Sequence, residues 1–108
     1  MDMDSKMEEI KQDIENNKVI LFMKGNELMP MCGFSARSVQ ILNALEAKYV
    51  TRNVLEDQVL REAIKVYSDW PTIPQLYING EFVGGSDIML ELYQNGDLQQ
   101  MLTAAEAA

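Results

Sequence analysis

Histidine is absent from this chain, and cysteine occurs once, at Cys32. A lone thiol cannot close an internal disulfide, so nothing here implies an oxidising compartment. The scarcity also bounds metal chemistry. Zinc sites want about four ligands, commonly Cys and His, and an iron–sulfur cluster typically takes four thiolates. Any such site must borrow ligands from a second chain or from small thiols. Positive charge is scarce too: nine Lys and Arg stand against seventeen Asp and Glu, a net charge of −8. Nucleic acid and anionic membranes need a cationic face, so neither is expected as a general partner, although a local basic pocket remains open. No apolar run approaches membrane-spanning length, and no apolar segment follows a basic N-terminal stretch as a secretory signal would require. The expectation is a soluble protein of cytoplasmic type. Its 108 residues, 47% of them hydrophobic, suit one domain over 1–108 with a core that needs no covalent staples.

What is present alternates between helix and strand signals. Ser5 and Glu8 fit a capping box, and Met7, Ile10 and Ile14 follow at helical spacing, so a first helix is expected to end near Asn16-Asn17. Val19 to Met23 is a short continuous apolar run, suited to a buried central strand. Gly25, Asn26 and Pro30 mark a loop from Lys24 to Met31. From Ser35, the positions Val39, Ile41, Leu42 and Leu45 repeat as on a helix; Tyr49 to Val54 reads as a strand; Leu60, Ile64 and Tyr67 mark another helix before Trp70-Pro71. Gln75–Ile78 and Glu81–Val83 flank Asn79-Gly80, which predicts a hairpin with a type I′ turn. Ser86 or Asp87 is expected to cap a helix carrying Met89, Leu92 and Tyr93. Asn95-Gly96-Asp97 stops it before a short last helix begun by Leu98, Met101 and Leu102. Loose ends are expected at 1–4 and at 103–108. The order α-β-α-β-α-β-β-α-α, without repeat or linker, predicts an α/β protein with a four-stranded mixed sheet and helices on both faces, the thioredoxin-like arrangement.

That order places Cys32 beyond the first strand, at the opening of a helix. Thiolate is the reactive form of cysteine, and a helix N-terminus stabilises it. Lys24, closing the strand, could add a nearby cation. A free cysteine is often only a small buried hydrophobe, but a position after a Pro-containing loop and at a helix start is poorly suited to that. Cys32-Gly33-Phe34-Ser35 has the spacing of a redox C-x-x-C pair with Ser35 in the second place. Ser35 reads as a first-turn capping residue at least as readily as a part of the chemistry.

Three segments together resemble a family. Lys24-Gly25 followed by Pro30-Met31-Cys32-Gly33-Phe34-Ser35 is similar to the monothiol glutaredoxins of C-G-F-S type. Trp70-Pro71-Thr72-Ile73-Pro74-Gln75-Leu76-Tyr77 resembles their W-P-T-x-P-Q-L segment, and Gly84-Gly85-Ser86-Asp87 their G-G-x-D. The motifs occur in order, and the resemblance runs from about Ser5 to Leu102, matching the single-domain form. It implies glutathione as a ligand. Lys24 and Arg61 would hold the glycyl carboxylate, Arg61 by its planar fork; alone, Arg61 would pass as a solvated helix charge. Pro74 resembles the family's cis-proline, which would leave the Ile73 backbone to pair with an extended tripeptide. Without the family, Pro71 and Pro74 are a plain loop before an edge strand. Ser86 and Asp87, at a predicted helix start, would take the γ-glutamyl carboxylate on backbone N–H groups and the ammonium on the Asp87 carboxylate, a role compatible with simple capping. Trp70 reads as structural. Two departures stand out: many relatives carry an aromatic where Ile73 stands and a cysteine where Ser86 stands. Ile73 should weaken side-chain contact and leave backbone pairing intact; Ser86 removes a resolving thiol.

The resemblance implies a [2Fe-2S] cluster bridged between two protomers, with Cys32 of each chain as the only protein ligand and one glutathione thiol accompanying each. The implied role is an iron–sulfur carrier in cluster assembly and redox homeostasis. A homodimer formed through the cluster, a BolA-like protein and apo iron–sulfur client proteins are the implied partners. The alternative is an enzyme, at most a weak one: a glutathione-dependent thiol–disulfide oxidoreductase in which Cys32 attacks a mixed disulfide and a second glutathione resolves it.

Overall fold

The structure is a computed structural model that describes residues 2–107; Met1 and Ala108, at the two expected loose ends, lie outside the described residues. Helix α1 spans Met3–Asn16. Its N-cap is Asp2, not Ser5: the Asp2 carboxylate accepts the Ser5 N–H at 2.7 Å, and the Asp2 carbonyl accepts from Lys6 N–H at 3.2 Å. Asp2 offers the same acceptor chemistry as Ser5, one residue ahead of Met3, and so gains a further turn. Residues 3 and 4, expected to be loose, are therefore helical.

Strand β1, Val19–Met23, is buried along its whole length. Its side chains alternate between two cores. Val19, Leu21 and Met23 join Val39, Leu42, Leu76, Met89 and Leu98 on one face; Ile20 and Phe22 join Ile10, Ile14, Leu60, Ile64 and Tyr77 on the other. A strand covered on both faces must be apolar at every position, which is why the sequence shows a run and no alternation.

Helix α2 (Gly33–Ala44) crosses over to β2 (Val50–Asn53), which pairs parallel to β1 from Ile20↔Val50 to Met23↔Asn53. Helix α3 (Gln58–Ser68) returns the chain to β3 (Gln75–Ile78), antiparallel to β1, and β4 (Glu81–Gly84) pairs antiparallel to β3. The strand order is β2-β1-β3-β4. Asn79 and Gly80 take φ of 52° and 85°, both positive as a type I′ turn requires. Helix α4 (Ser86–Asn95) and helix α5 (Asp97–Ala107) complete the chain. The α1 and α3 helices cover one face; α2, α4 and α5 cover the other. This is the thioredoxin-like fold expected from the element order.

Further boundaries differ from the sequence reading: β2 is one residue shorter at each end than the expected Tyr49–Val54, and β4 runs one residue past the expected Val83. The tail expected to be loose from Thr103 stays helical to Ala107, because Ala105 is buried against the core and alanine is the best helix former. The cap of α4 is Gly85, not Ser86 or Asp87, and no side chain bonds its first amides.

Candidate functional site

The chain leaves β1 into a loop that hydrogen bonds hold in shape. Met31 N–H donates to the Lys24 carbonyl at 2.8 Å, Gly25 N–H to Asn53 Oδ1 at 3.0 Å, and the Asn26 side chain accepts from the Leu28 and Met29 N–H groups at 2.9 Å each. Only glycine fits position 25: its φ is +88°, and a Cβ there would lie 2.3 Å from the Met29 carbonyl oxygen.

This loop delivers Cys32 to the N-cap of α2, in extended backbone. The sulfur accepts the Ser35 N–H at 3.3 Å and lies 3.3 Å from Ser35 Oγ. Ser35 is fully buried, and its Oγ accepts the Lys24 N–H at 3.1 Å, so one hydroxyl ties the end of β1 to the thiol. Burial pushes the Cys32 pKa up. The Ser35 hydroxyl, the Ser35 and Phe34 N–H groups and the Lys24 charge outweigh it, and the net direction is down. Ser35 thus acts on the sulfur directly, beyond the capping role its sequence position suggests.

A cleft of about 400 Å³ opens at the same end of the sheet. Its wall brings together all five residues expected to bind a ligand: Lys24, Arg61, Ile73, Ser86 and Asp87. Cys32 stands next to this wall, between its members Lys24 and Phe34 in the chain. The Ile73–Pro74 bond is cis, and both residues line the cleft. Ile73 lies just past the end of the β1–β3 register, which closes at Phe22↔Gln75. Trp70 does more than the structural role assigned to it: its ring packs 5.8 Å from Phe82, and it also lines the cleft. Three of the nine cations, Lys24, Arg61 and Lys65, sit in the wall against one of the seventeen acids, Asp87. A basic pocket therefore exists in a strongly acidic chain. Among the described residues no three His, Cys, Asp or Glu gather to hold a metal ion. Cys32 is the one thiol at this end.

Sequence reasoning missed two residues. Lys65 lies one helical turn from Arg61, and that i,i+4 spacing was a usable signal. Arg37 projects from α2 to the start of α4, where its Nε donates to Ser86 Oγ at 2.7 Å and its Nη2 pairs with the Asp87 carboxylate. No sequence spacing reports that contact, because it depends on how α2 packs against α4.

A single thiol at a helix N-cap, beside a cleft with a cis-proline in its wall, on a four-stranded mixed sheet, defines a thioredoxin-like protein of single-thiol type. The family model described as Glutaredoxin matches residues 19–83. The chain is 56% identical over 108 residues to an uncharacterized monothiol glutaredoxin, ycf64, of Porphyra purpurea, covering 100% of both chains. It is 62% identical over 99 residues to a ycf64-like monothiol glutaredoxin of Synechocystis, with 92% of each covered. Among solved structures, the reduced apo form of poplar GrxS14 in solution is similar at a TM-score of 0.82 and 46% identity, over 94% of this chain and 93% of that one. The chain belongs to the glutaredoxin family, and to its monothiol branch.

Proposed function

We propose that this protein binds glutathione and carries a [2Fe-2S] cluster, held between two copies of the chain, for delivery to other proteins. One observation carries the reading: the sole thiol has a lowered pKa and stands beside a basic cleft of peptide size. A donor set of one thiol per chain supports a cluster shared between two chains. Each chain supplies Cys32, and each cleft supplies the thiol of its glutathione. Lys24 and Arg61 take the glycyl carboxylate, Ile73 offers backbone to the extended peptide, and the uncapped amides of α4 with Asp87 take the γ-glutamyl end. Half of the ligands are then exchangeable small molecules, so the cargo can leave by thiol exchange. Leu28, Met29, Met31 and Phe34 are all more than half exposed around the thiol. Such an apolar collar favours contact with a second chain: another copy, a BolA-like protein or an apo client.

The lowered pKa also favours a second reading, disulfide exchange. The Cys32 thiolate would attack the protein–glutathione disulfide, form a new S–S bond to glutathione and release the protein thiolate. A second glutathione thiolate would then attack, leaving oxidised glutathione and reduced Cys32.

Reconstitution with iron, sulfide and glutathione separates the two. The carrier reading expects a visible chromophore that needs glutathione, accompanied by a doubling of mass in light scattering. It expects Cys32→Ser to fold and hold none. A cluster-loaded monomer, or a full chromophore in Cys32→Ser, would overturn it. A colourless protein with fast glutathione turnover would leave the exchange reading standing.

A further inference from the structure

Gln75 breaks the pattern of its strand. β3 lies between β1 and β4 and is buried at every position, where apolar residues are expected throughout. Its first residue is instead a glutamine with no exposed surface, the sole buried amide side chain among the described residues. Gln75 pairs across the sheet with Phe22, and so shares the face of Phe22 and Tyr77, in the core under α1 and α3. Burying an amide is costly unless its hydrogen bonds are met. Here they are met: Nε2 donates to the Trp70 carbonyl at 3.3 Å and to the Thr72 carbonyl at 3.1 Å, and Oε1 accepts from the Tyr77 hydroxyl at 3.2 Å. Two carbonyls can be met only by the amide nitrogen, so the partners fix which way the group faces.

Both carbonyls belong to residues 70–74, which form one side of the cleft wall. Residues 71–74 make no backbone–backbone hydrogen bond among the described residues, and two of them are prolines without an N–H. The segment is held at two points. Gln75 ties its backbone. The Trp70 ring packs 5.8 Å from Phe82, which meets Tyr77 edge-on at 5.4 Å. Tyr77 stands behind both: its hydroxyl holds the amide and its ring backs Phe82. The ties also select what the segment offers. The Thr72 carbonyl is taken inward, while the N–H and carbonyl of the adjoining Ile73 have no partner among the described residues and stay available to an extended ligand.

We infer that Gln75 is a positioning residue for the cleft: its amide, held from behind by the Tyr77 hydroxyl, suspends residues 70–74 so that the Ile73 backbone faces the ligand. It touches no ligand itself. The inference rests on the glutathione reading above and adds what keeps that wall in place. A buried polar network with every member satisfied rigidifies its surroundings, which accounts for an amide at a position where a hydrocarbon would pack as well.

The probe is S-methylglutathione, which cannot form a disulfide. It is titrated by calorimetry, and the emission of Trp70, the sole tryptophan, reports the wall. Gln75→Met keeps the length of the side chain and removes its hydrogen bonds. It should weaken binding about tenfold, the scale of one or two hydrogen bonds, and Tyr77→Phe about threefold. Gln75→Met should also shift the Trp70 emission of the free protein. The double variant should bind no more weakly than Gln75→Met alone, since Tyr77 acts through Gln75. Ile14→Val thins the same core without touching the network, and should leave affinity and emission unchanged. Cys32 in Gln75→Met should be alkylated at the rate of the unaltered protein, because the tie does not reach the thiol. Unchanged affinity in Gln75→Met, an additive loss in the double variant, equal weakening by Ile14→Val, or slowed alkylation would each overturn the inference. Should Gln75→Met not fold, Tyr77→Phe decides alone, and unchanged affinity there overturns it. Arg61→Glu separates the two readings. If it weakens S-methylglutathione while neither network variant does, the positioning role fails and the glutathione reading stands. If the unaltered protein does not bind S-methylglutathione, both fail.

Discussion

The molecule holds two groups of charged residues that were assembled to opposite ends. On the α1–α3 face, the Lys6 ammonium is almost wholly buried, 2.9 Å from Glu9 and 2.6 Å from Asp57, and Arg52 reaches Glu9 at 3.0 Å and pairs with Asp13. Every charge in that group answers another. At the cleft, Lys24 and Arg61 make no ion pair among the described residues. The first group shows its self-sufficiency in its titration. The hydrogen bond to Asp57 raises the Lys6 pKa, and the hydrogen bonds from Lys6 lower Asp57 and Glu9. Charges that stabilise a fold spend their attraction on one another. The Lys24 and Arg61 charges have no such partner among the described residues. Under the proposed function, the cleft cations would contribute to binding at little expense in stability, and the buried network would do the reverse.

The largest effect should come from breaking the buried side. Lys6→Met keeps the apolar stem and removes the charge, leaving Glu9 and Asp57 beside a dry site. Losing one partner of a buried pair costs about 3–5 kcal/mol. Because both carboxylates remain about one-third exposed, about 2 kcal/mol is expected here. Denaturant unfolding measures it, and glutathione affinity should not change. The sign of the pH dependence sharpens the point. The Glu9 and Asp57 carboxyls are lowered in the folded chain by their bonds to Lys6, so their contribution is present above the ordinary carboxylate range near 4 and is lost as pH falls through the folded values. The stability of the unaltered protein should therefore drop more steeply between about pH 5 and 3 than that of Lys6→Met. Parallel slopes would show that the network is not what acid removes.

The reciprocal change is Arg61→Glu. It reverses a charge that no protein group needs, so stability should move by no more than about 0.5 kcal/mol. Glutathione affinity should fall about tenfold, or about 1.4 kcal/mol, because the glycyl carboxylate would meet a like charge. Thermal unfolding measures the first quantity and calorimetric titration the second. Loss of stability without loss of affinity would invert the comparison.

How much of this was legible beforehand follows from how local each signal is. Val19–Met23 and the Asn79-Gly80 turn were read to the residue, since a doubly covered strand and a type I′ turn leave their marks within a few positions. The α1 and α4 caps were misplaced by one to three residues: Asp2 has capping chemistry equal to that of Ser5, and Gly85 caps α4 with no side-chain bond to mark it. The helical tail was missed because the burial of Ala105 is a tertiary fact. Lys24, Arg61, Ile73 and the adjacent Ser86 and Asp87 come from four separate places in the chain, and only the family resemblance brought them together before the structure did. Arg37 was beyond reach by either route. Its partners lie 49 and 50 residues away, and no motif contains it.

The smallest expected effect lies between the two charge groups, at a neutral contact. Ser35→Ala removes the hydroxyl that lies 3.3 Å from the Cys32 sulfur and accepts the Lys24 N–H at 3.1 Å. Hydrogen bonds from Ser35 and Phe34 work against the burial that would raise the thiol, and the hydroxyl is foremost among them. A neutral hydrogen bond contributes about 1 kcal/mol net. The folded thiol should therefore titrate higher in Ser35→Ala, and alkylation by iodoacetamide at pH 7 should slow about fivefold as the thiolate fraction falls. Lys24→Gln should shift the midpoint less, because its charge is the weakest of the influences on the sulfur. A larger shift from Lys24→Gln than from Ser35→Ala would mean that long-range charge, as at the cleft, governs the thiol. The ranking expected here says instead that the thiol is tuned by close hydrogen bonds, and that the cleft cations are left for the ligand.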